Sequence, residues 1–465
     1  MATKNNKKAK TGREACEEIR EVAMRGKISA FDLMEQTTQV VRGIVKDEFL
    51  RFAPQKGMAV FVHGSPSRNE MITYSDIDIL FVETLPSIVA GRDITKALAT
   101  YGFGKVDEQG WRQEGVIERY AKHSLVDGNK VFDAQFVAGD PSILDWMSDL
   151  QKRENTLDRA MKNVVFQRYY LEHYYSNRST EEVPNVKYQH GGTRDLLTYD
   201  WFDNTMSLHR GSDWTREPES NRPNIESSLK NMSGNGVLSN AEYEATKVAV
   251  EFTSLLRNEI LHVNQTTKDK GITHLDNVTR ERVLGSSPSF FKCHGASTSS
   301  ELRGVYEKHR KAIYDTKMHL WQVLLLEEEK RKGTTWKKLF DAAGKGELSS
   351  LTEDPLINVA TVWGLHYAGD KKRFNVVAKQ AKWDWEVYAS IACSNLASPE
   401  VLEGIRSYCQ PVPEQGYILR IIGRNPNASK ETITKIAEDN SLGIYSIVAK
   451  KRLEEGLDAC IKRCS

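Results

Sequence analysis

The sequence carries almost no excess of charge: 65 Lys and Arg stand against 63 Asp and Glu, a formal net charge of +2. That balance removes any global electrostatic argument for nucleic-acid binding. No apolar run reaches the roughly 18 residues that a membrane-spanning helix needs, and the N-terminal stretch lacks the apolar core of a secretory signal. Cys-x-x-Cys pairs are absent. The six cysteines (Cys16, Cys293, Cys393, Cys409, Cys460, Cys464) are scattered, and only Cys460 and Cys464 share helical i,i+4 spacing. With no second ligand pair a structural zinc is not expected, and scattered thiols fit a reducing, cytoplasmic setting.

What is present is a 465-residue chain, 39% hydrophobic and 28% charged, with a mean hydropathy of −0.53. That length predicts two to four domains, and the composition a helix-rich protein. KNNKKAK (4–10) is a basic segment with polar companions, either a solvated tail or a phosphate-binding arm. Apolar residues at three- and four-residue intervals predict helix through 13–53. GMAVFVHG (57–64), ITYSDIDILFVE (72–83) and GNKVFDAQFV (128–137) read as strands, with a helix over 87–101. From Pro141 the pattern is helical, with helices around 195–210, 240–263 and 300–332 and loops at 211–239 and 284–300. The Lys-Arg-Lys-Gly at 330–333 is the candidate boundary of a last domain. There VYASIACSNLASPEVLEGI (387–405) lines up with ILRIIGRNPNASKETITKI (418–436) at an offset of about 31 residues. Two short helices per unit cannot bury their own face and must stack. The pattern resembles HEAT-like repeats, which present protein-binding surfaces; a plain helical bundle is the alternative.

The chemistry concentrates in FVHGSPSRNEMITYSDIDILFVE (61–83). In a strand, residues i and i+2 share a face, so Asp76 and Asp78 are expected to project together while Ile77, Ile79 and Phe81 enter the core. Two parallel carboxylates repel unless a cation lies between them. Hard oxygen ligands of this kind suit Mg²⁺, with phosphate oxygens completing the shell. Gly64 and Ser65 end the preceding strand, where a glycine lets backbone amides approach a phosphate. Asp133, a lone acid in a strand of apolar residues, would complete a two-metal site.

Gly-Ser, then Ser-Asp-x-Asp, then a lone strand Asp resembles the polymerase-beta-like nucleotidyltransferase superfamily. Within it the spacing of Gly64, Arg68, Glu70, Ser75, Asp76 and Asp78 is most similar to the uridylyltransferases that modify the PII signalling protein. PNVKYQHGGTRDLLTYDWF (184–202) resembles that family's Gly-Gly-x-Arg-Asp segment, and LLRNEILHVNQTTKDKGITHLDNVTRERVLG (255–285) its following helix and basic loop. FDAQFVAGDPSIL (132–144) resembles a third segment, with Gln135 where the family has arginine. The resemblance covers about residues 30–290. It implies that Asp76, Asp78 and Asp133 hold two Mg²⁺ ions, with Mn²⁺ as a substitute, and that Asp133 helps deprotonate the acceptor. Gly64, Ser65, Arg68 and Ser75 would grip the triphosphate of an NTP substrate together with Lys187, Gly192 and Arg194. A glycine pair at 191–192 would let backbone approach the ligand; the other reading makes Asp195 a cap paired with Arg194. His262 is open between a packing and a site role, and His190 is unassigned. The family's HD phosphohydrolase and ACT domains have no counterpart here, since the sequence contains no His-Asp dipeptide and continues into the helical units.

The expected architecture is α+β: a flexible basic tail (1–12), a small mixed-sheet nucleotidyltransferase domain with N-terminal helices (13–150), an all-α domain (151–333) and C-terminal HEAT-like helical repeats (334–465). The favoured function is transfer of NMP from an NTP to a hydroxyl of a protein recruited by the repeats. The same chemistry on tRNA, other RNA or a small nucleotide, in which Lys268 and Lys270 would contact phosphates, is the second; either would suit a toxin or defence effector. A non-catalytic nucleotide-binding scaffold is the third. No membrane partner is expected.

Overall fold

The computed structural model describes residues 5–52, 56–84, 88–101, 106–122, 134–154, 183–189, 191–209, 224–265, 273–332, 368–380, 385–409, 416–439 and 446–455, with a few positions between 358 and 366. The chain divides into two compact units, Met1–Asn163 with Glu181–Leu320, and Val164–Thr180 with Trp321–Ser465.

In the first unit two helices precede the sheet. α1 (Asn5–Met24) stops where Gly26 takes a φ of 68° and the Lys27 N–H bonds the Val22 carbonyl at 3.1 Å. α2 (Ala30–Phe52) is opened by Ser29 and Asp32, each accepting the other's backbone N–H on its side chain at 3.0 Å. α1 begins inside the stretch expected to be a flexible tail over 1–12. Lys and Ala are good helix formers, and they extend the helix upstream of its amphipathic part.

Four strands form one mixed sheet in the order β3-β2-β1-β4: β1 (Met58–Val62), β2 (Ile77–Glu83), β3 (Val106–Arg112) and β4 (Gln135–Gly139). β1 pairs antiparallel with β2 and with β4. α3 (Ile88–Ala99) returns the chain so that β3 lies parallel to β2. Successive strand residues face opposite sides, and helices cover both. Val41, Val45 and Phe49 of α2 join Ile94 and Leu98 of α3 in one core with Val60, Ile77, Ile79 and Phe81. On the other face Val116 of α4 (Gln113–Lys122) and Ile143, Met147 and Leu150 of α5 (Pro141–Glu154) pack with Ala59, Phe61, Leu80 and Val82. The α+β class follows, with helix predominating.

Two strand expectations change. The strand read over 72–83 starts at Ile77. Ser75 accepts the Ile72 N–H on its hydroxyl (3.1 Å) and returns its own N–H to the Ile72 carbonyl (2.9 Å), so a turn withdraws 72–76 from the ladder. Asp76 therefore sits just outside the strand that was expected to carry it. β3 was not anticipated, because its Asp107, Glu108, Gln109 and Gly110 show no apolar alternation; polar residues suit a sheet edge. Of the strand read at 128–137, residues 128–133, Asp133 among them, lie outside the described residues.

Helices α6 (Leu197–His209), α7 (Ile225–Gly234), α8 (Asn240–Asn264), α9 (Asn277–Ser286), α10 (Pro288–Cys293) and α11 (Ser299–Lys332) follow. α7 and α10 occupy stretches expected to be loops. Both are too short to show periodicity, and their openings are an Asn224 cap accepting the Ser227 N–H and a proline at the first helical position. α8 is bound to α1 by the buried pair Arg20–Glu259, 2.7 Å apart. The first unit thus joins the segment read as the nucleotidyltransferase domain with most of that read as the helical domain, while Val164–Thr180 and the chain from Trp321 fall in the second.

The second unit contains α12 (Lys371–Ala378), α13 (Trp385–Cys393), α14 (Pro399–Cys409), α15 (Gly416–Arg424), α16 (Lys430–Glu438) and α17 (Ile447–Glu455). The α13 and α15 spans are 31 residues apart at both ends, as are the starts of α14 and α16. Asn425 donates its side-chain amide to the carbonyls of Ala392 (2.7 Å) and Ser394 (2.9 Å) at the end of α13. At the corresponding end of α15, Arg452 donates to the carbonyls of Gly423 (3.1 Å) and Asn425 (2.8 Å). Carbonyls left open by a helix terminus are closed here by the next helix pair.

Candidate active site

The chain leaves β1 through buried His63, whose N–H bonds the Asp78 carbonyl at 3.1 Å, and enters a single 3-10 turn, Ser65–Ser67. Gly64 has a φ of 67°, a backbone state that glycine adopts freely. A Cβ on it would fall 2.6 Å from Asp78 Oδ2, so the position requires glycine twice over. Ser67 closes the turn with its N–H and hydroxyl on the Gly64 carbonyl, at 3.2 and 2.8 Å. Arg42 of α2 braces it from outside, donating to the Pro66 carbonyl from Nε (2.9 Å) and Nη2 (2.6 Å), and also to Gln135 Oε1 of β4. Gln135, the departure from the family pattern, is thus an acceptor for an arginine supplied by a helix.

A pocket opens over this turn. Its walls include Gly64, Ser65, Arg68, Glu70, Ser75, Asp76, Asp78, Lys187 and Arg194, so eight of the ten sequence-expected site residues meet in it. Gly192 does not line it, and Asp133 lies outside the described residues. Asp76 is exposed and Asp78 half-buried. Among the described residues no cluster of three or more His, Cys, Asp or Glu side chains forms a ready metal cage; Asp76 and Asp78 supply two carboxylates on one pocket. Arg68 is nearly buried and pairs with Glu70, its Nε 3.0 Å from Oε2. Part of its expected charge is therefore already matched by a carboxylate. Ser75 lines the pocket while its hydroxyl holds the turn before Asp76.

The basic wall comes from the 185–195 turn. Asn185 Oδ1 accepts the N–H groups of Lys187 (3.0 Å) and Tyr188 (3.1 Å) and the Thr273 hydroxyl (2.8 Å). Thr193 and Arg194 return their N–H groups to the carbonyls of Val186 (2.9 Å) and Lys187 (3.0 Å), which sets the two cations side by side. Burial pulls the Lys187 ammonium down to about 7; Arg257 and Arg194 push the same way, and Asp76 and Asp78 oppose them. Asp195 pairs with Lys317 at 3.0 Å and caps Gly191 N–H at 2.7 Å, so it is a structural acid whose partner is not Arg194. Gly191 and Gly192, expected to admit a ligand to the backbone, each stand against a chain neighbour. A Cβ at Gly191 would meet the Arg310 carbonyl at 1.9 Å, and one at Gly192 the Val186 carbonyl at 2.6 Å, so both serve close chain packing.

Sequence reading gave no site role to Arg257, which lines the pocket from α8 with Ser254 one turn earlier. It also missed an apolar side made by Met34, Leu196, Leu197 and Ile225. An arginine at helical spacing looks like any surface cation, and the apolar residues look like core. Outside the pocket, the turn leading to Asp76 is tied down twice. Thr73 N–H bonds Asn258 Oδ1 (3.2 Å), and the Thr73 hydroxyl bonds the Cys16 carbonyl (3.3 Å). The Tyr74 hydroxyl bonds the Glu17 carboxylate and lies 2.8 Å from His262 Nδ1. His262 thus serves this anchoring network and is not among the pocket-lining residues. His190, Lys268 and Lys270 lie outside the described residues.

Carboxylates on one wall, fixed cations on others and a glycine turn between them are groups chemically suited to a phosphorylated ligand and a hard cation. The comparison with curated proteins points the same way. Over 182 residues the chain is 26% identical to the bifunctional uridylyltransferase/uridylyl-removing enzyme of Haemophilus influenzae (strain 86-028NP), a match that covers 37% of this chain and 21% of that protein. At that identity and coverage it supports a nucleotidyltransferase-like relationship and nothing finer. No protein-family model matches the chain. No described helix is long and apolar enough to cross a membrane.

Proposed function

We propose that this protein is a Mg²⁺-dependent nucleotidyltransferase that moves NMP from an NTP to a hydroxyl of a protein target. The observation that carries the reading is the single pocket shared by Gly64, Ser65, Asp76, Asp78, Lys187 and Arg194, residues drawn from segments more than 100 positions apart. Asp76 and Asp78 would hold Mg²⁺, or Mn²⁺ in its place, with Asp133 as a third ligand; oxygen donors spaced two residues apart on one wall fit a hard divalent ion. When bound, the ion would offset phosphate charge and acidify the attacking hydroxyl.

The chain's own residues do the positioning. Gly64 leaves the Asp78 carboxylate uncovered, and Ser65 offers a hydroxyl and backbone N–H at the mouth of the turn. Lys187 and Arg194 hold the phosphate tail, and Arg68 keeps the Glu70 side of the pocket in shape. In the reaction the acceptor oxygen bonds the α-phosphorus, the bond from that phosphorus to the bridging oxygen breaks, and pyrophosphate leaves. Asp133 takes the hydroxyl proton. The second unit, read as HEAT-like helical repeats, would bring the protein target.

The test supplies α-³²P-labelled ATP, CTP, GTP and UTP separately, with Mg²⁺, to the purified protein in lysate of the source organism. The products are split into protein and RNA fractions, and an Asp76→Ala/Asp78→Ala variant is the control. Label in a protein band that the variant loses supports the reading and names the base. Label confined to RNA transfers the chemistry to a nucleic-acid acceptor. Nucleotide binding with no variant-sensitive label in either fraction replaces it with a non-catalytic scaffold.

A further inference from the structure

We propose that Arg257 is the residue that selects the donor by the length of its phosphate tail, gripping the terminal phosphate so that triphosphates are held and monophosphates are not; this rests on the nucleotidyltransfer reading above. Arg257 lines the pocket from the C-terminal third of α8, and its Nε is buried without a hydrogen-bond partner. No carboxylate among the described residues forms an ion pair with it; Glu70 and Asp76 act on it only through their fields, against the repulsion of Arg194. Burial, the largest influence, disfavours its charge.

Its neighbours on the helix are all engaged. Asn258 holds the Thr73 N–H at 3.2 Å. Glu259 takes Arg20 at 2.7 Å and the hydroxyls of Ser286 and Ser287 at 2.5 and 2.9 Å. The Asn258 bond fixes α8 against the turn that leads to Ser75 and Asp76, and the Glu259 bonds fix it to α1 and the end of α9, so the place of Arg257 relative to the acids is set by the fold. A guanidinium withdrawn from water and left without a matching acid is costly. An anion with two oxygens in one plane offsets that cost best, and a phosphate group offers that geometry. The pocket holds Lys187 and Arg194 as well. A ligand that reaches from the acids to three cations carries several phosphates, where a monophosphate has one.

The experiment is titration calorimetry with Mg²⁺ on the full chain, using the α,β-methylene analogues of ATP, CTP, GTP and UTP, the matching NMPs, and inorganic tripolyphosphate. Wild type, Arg257→Gln and Arg257→Lys are compared, with melting temperature as the check on folding. The expected result is that Arg257→Gln loses about tenfold or more in affinity for the triphosphate and for tripolyphosphate, changes less than about twofold for the NMP, and that Arg257→Lys falls between. Equal losses for triphosphate and NMP, or no loss, overturn the proposal while the nucleotidyltransfer reading stands. If wild type binds none of the nucleotides, both fall. Should Arg257→Gln not fold, the tail-length preference of Arg257→Lys decides: unchanged from wild type, it overturns the proposal, and narrowed, it supports it.

Discussion

At Gly64 an added methyl group would land 2.6 Å from the Asp78 carboxylate, whereas at Gly191 it would land 1.9 Å from the Arg310 carbonyl. Both glycines have left-handed φ values, 67° and 77°, and both stand in turns that deliver side chains to the same pocket. The first turn is shaped around a carboxylate that lines the pocket; the second is shaped around its own scaffold. Residue type and the sign of φ are therefore the same in a turn set against a pocket carboxylate and a turn set against a backbone carbonyl. What separates them is the group the missing side chain would strike.

This contrast can be broken by substitution. Gly64→Ala should lower kcat/KM by about 100-fold or more while the protein still melts cooperatively, because a displaced Asp78 carboxylate misplaces everything that depends on it. Gly191→Ala should act through stability, costing about 2–4 kcal/mol in denaturant titration, with the protein that remains folded keeping its KM. Loss of KM there with normal stability would erase the distinction. Asp195→Ala should cost about 3 kcal/mol by removing the carboxylate that Lys317 pairs with at 3.0 Å, again without changing nucleotide affinity.

The smallest effect concerns the anchor behind Asp76. Burial raises the Glu17 carboxyl, but bonds from His262 and Tyr74 and the charge of Arg20 outweigh it and bring it from 4.5 down to about 2. A depressed carboxylate contributes stability that is complete above 4.5 and lost as pH falls from there toward 2. The wild-type melting temperature should drop through that window, and Glu17→Gln should flatten the drop.

The acid pair was legible because carboxylates two residues apart beside an apolar strand contradict burial unless something uses them. The turn residues Gly64 and Ser65 were legible for the same reason, as a polar detour between apolar runs. The start of β2 was not, since nothing in Ile72–Asp76 announces that Ser75 will fold back on Ile72. β3 is held by its ladder with β2 and carries no burial pattern to read. Arg257 needed three dimensions: only the commitments of Asn258 and Glu259 reveal it as the side chain of that turn left over. At Gly192 the close neighbours are carbonyls of its own turn, which spacing along the chain does not specify.

The fastening between α13 and α15 has a further consequence. Ala392 and Ser394 offer carbonyls to Asn425, and the carbonyls 31 residues later, on Gly423 and Asn425, are taken by Arg452. Two helix ends 31 residues apart are thus fastened at the same two carbonyl positions, one by an amide and the other by a guanidinium, so a single spacing serves two different side chains.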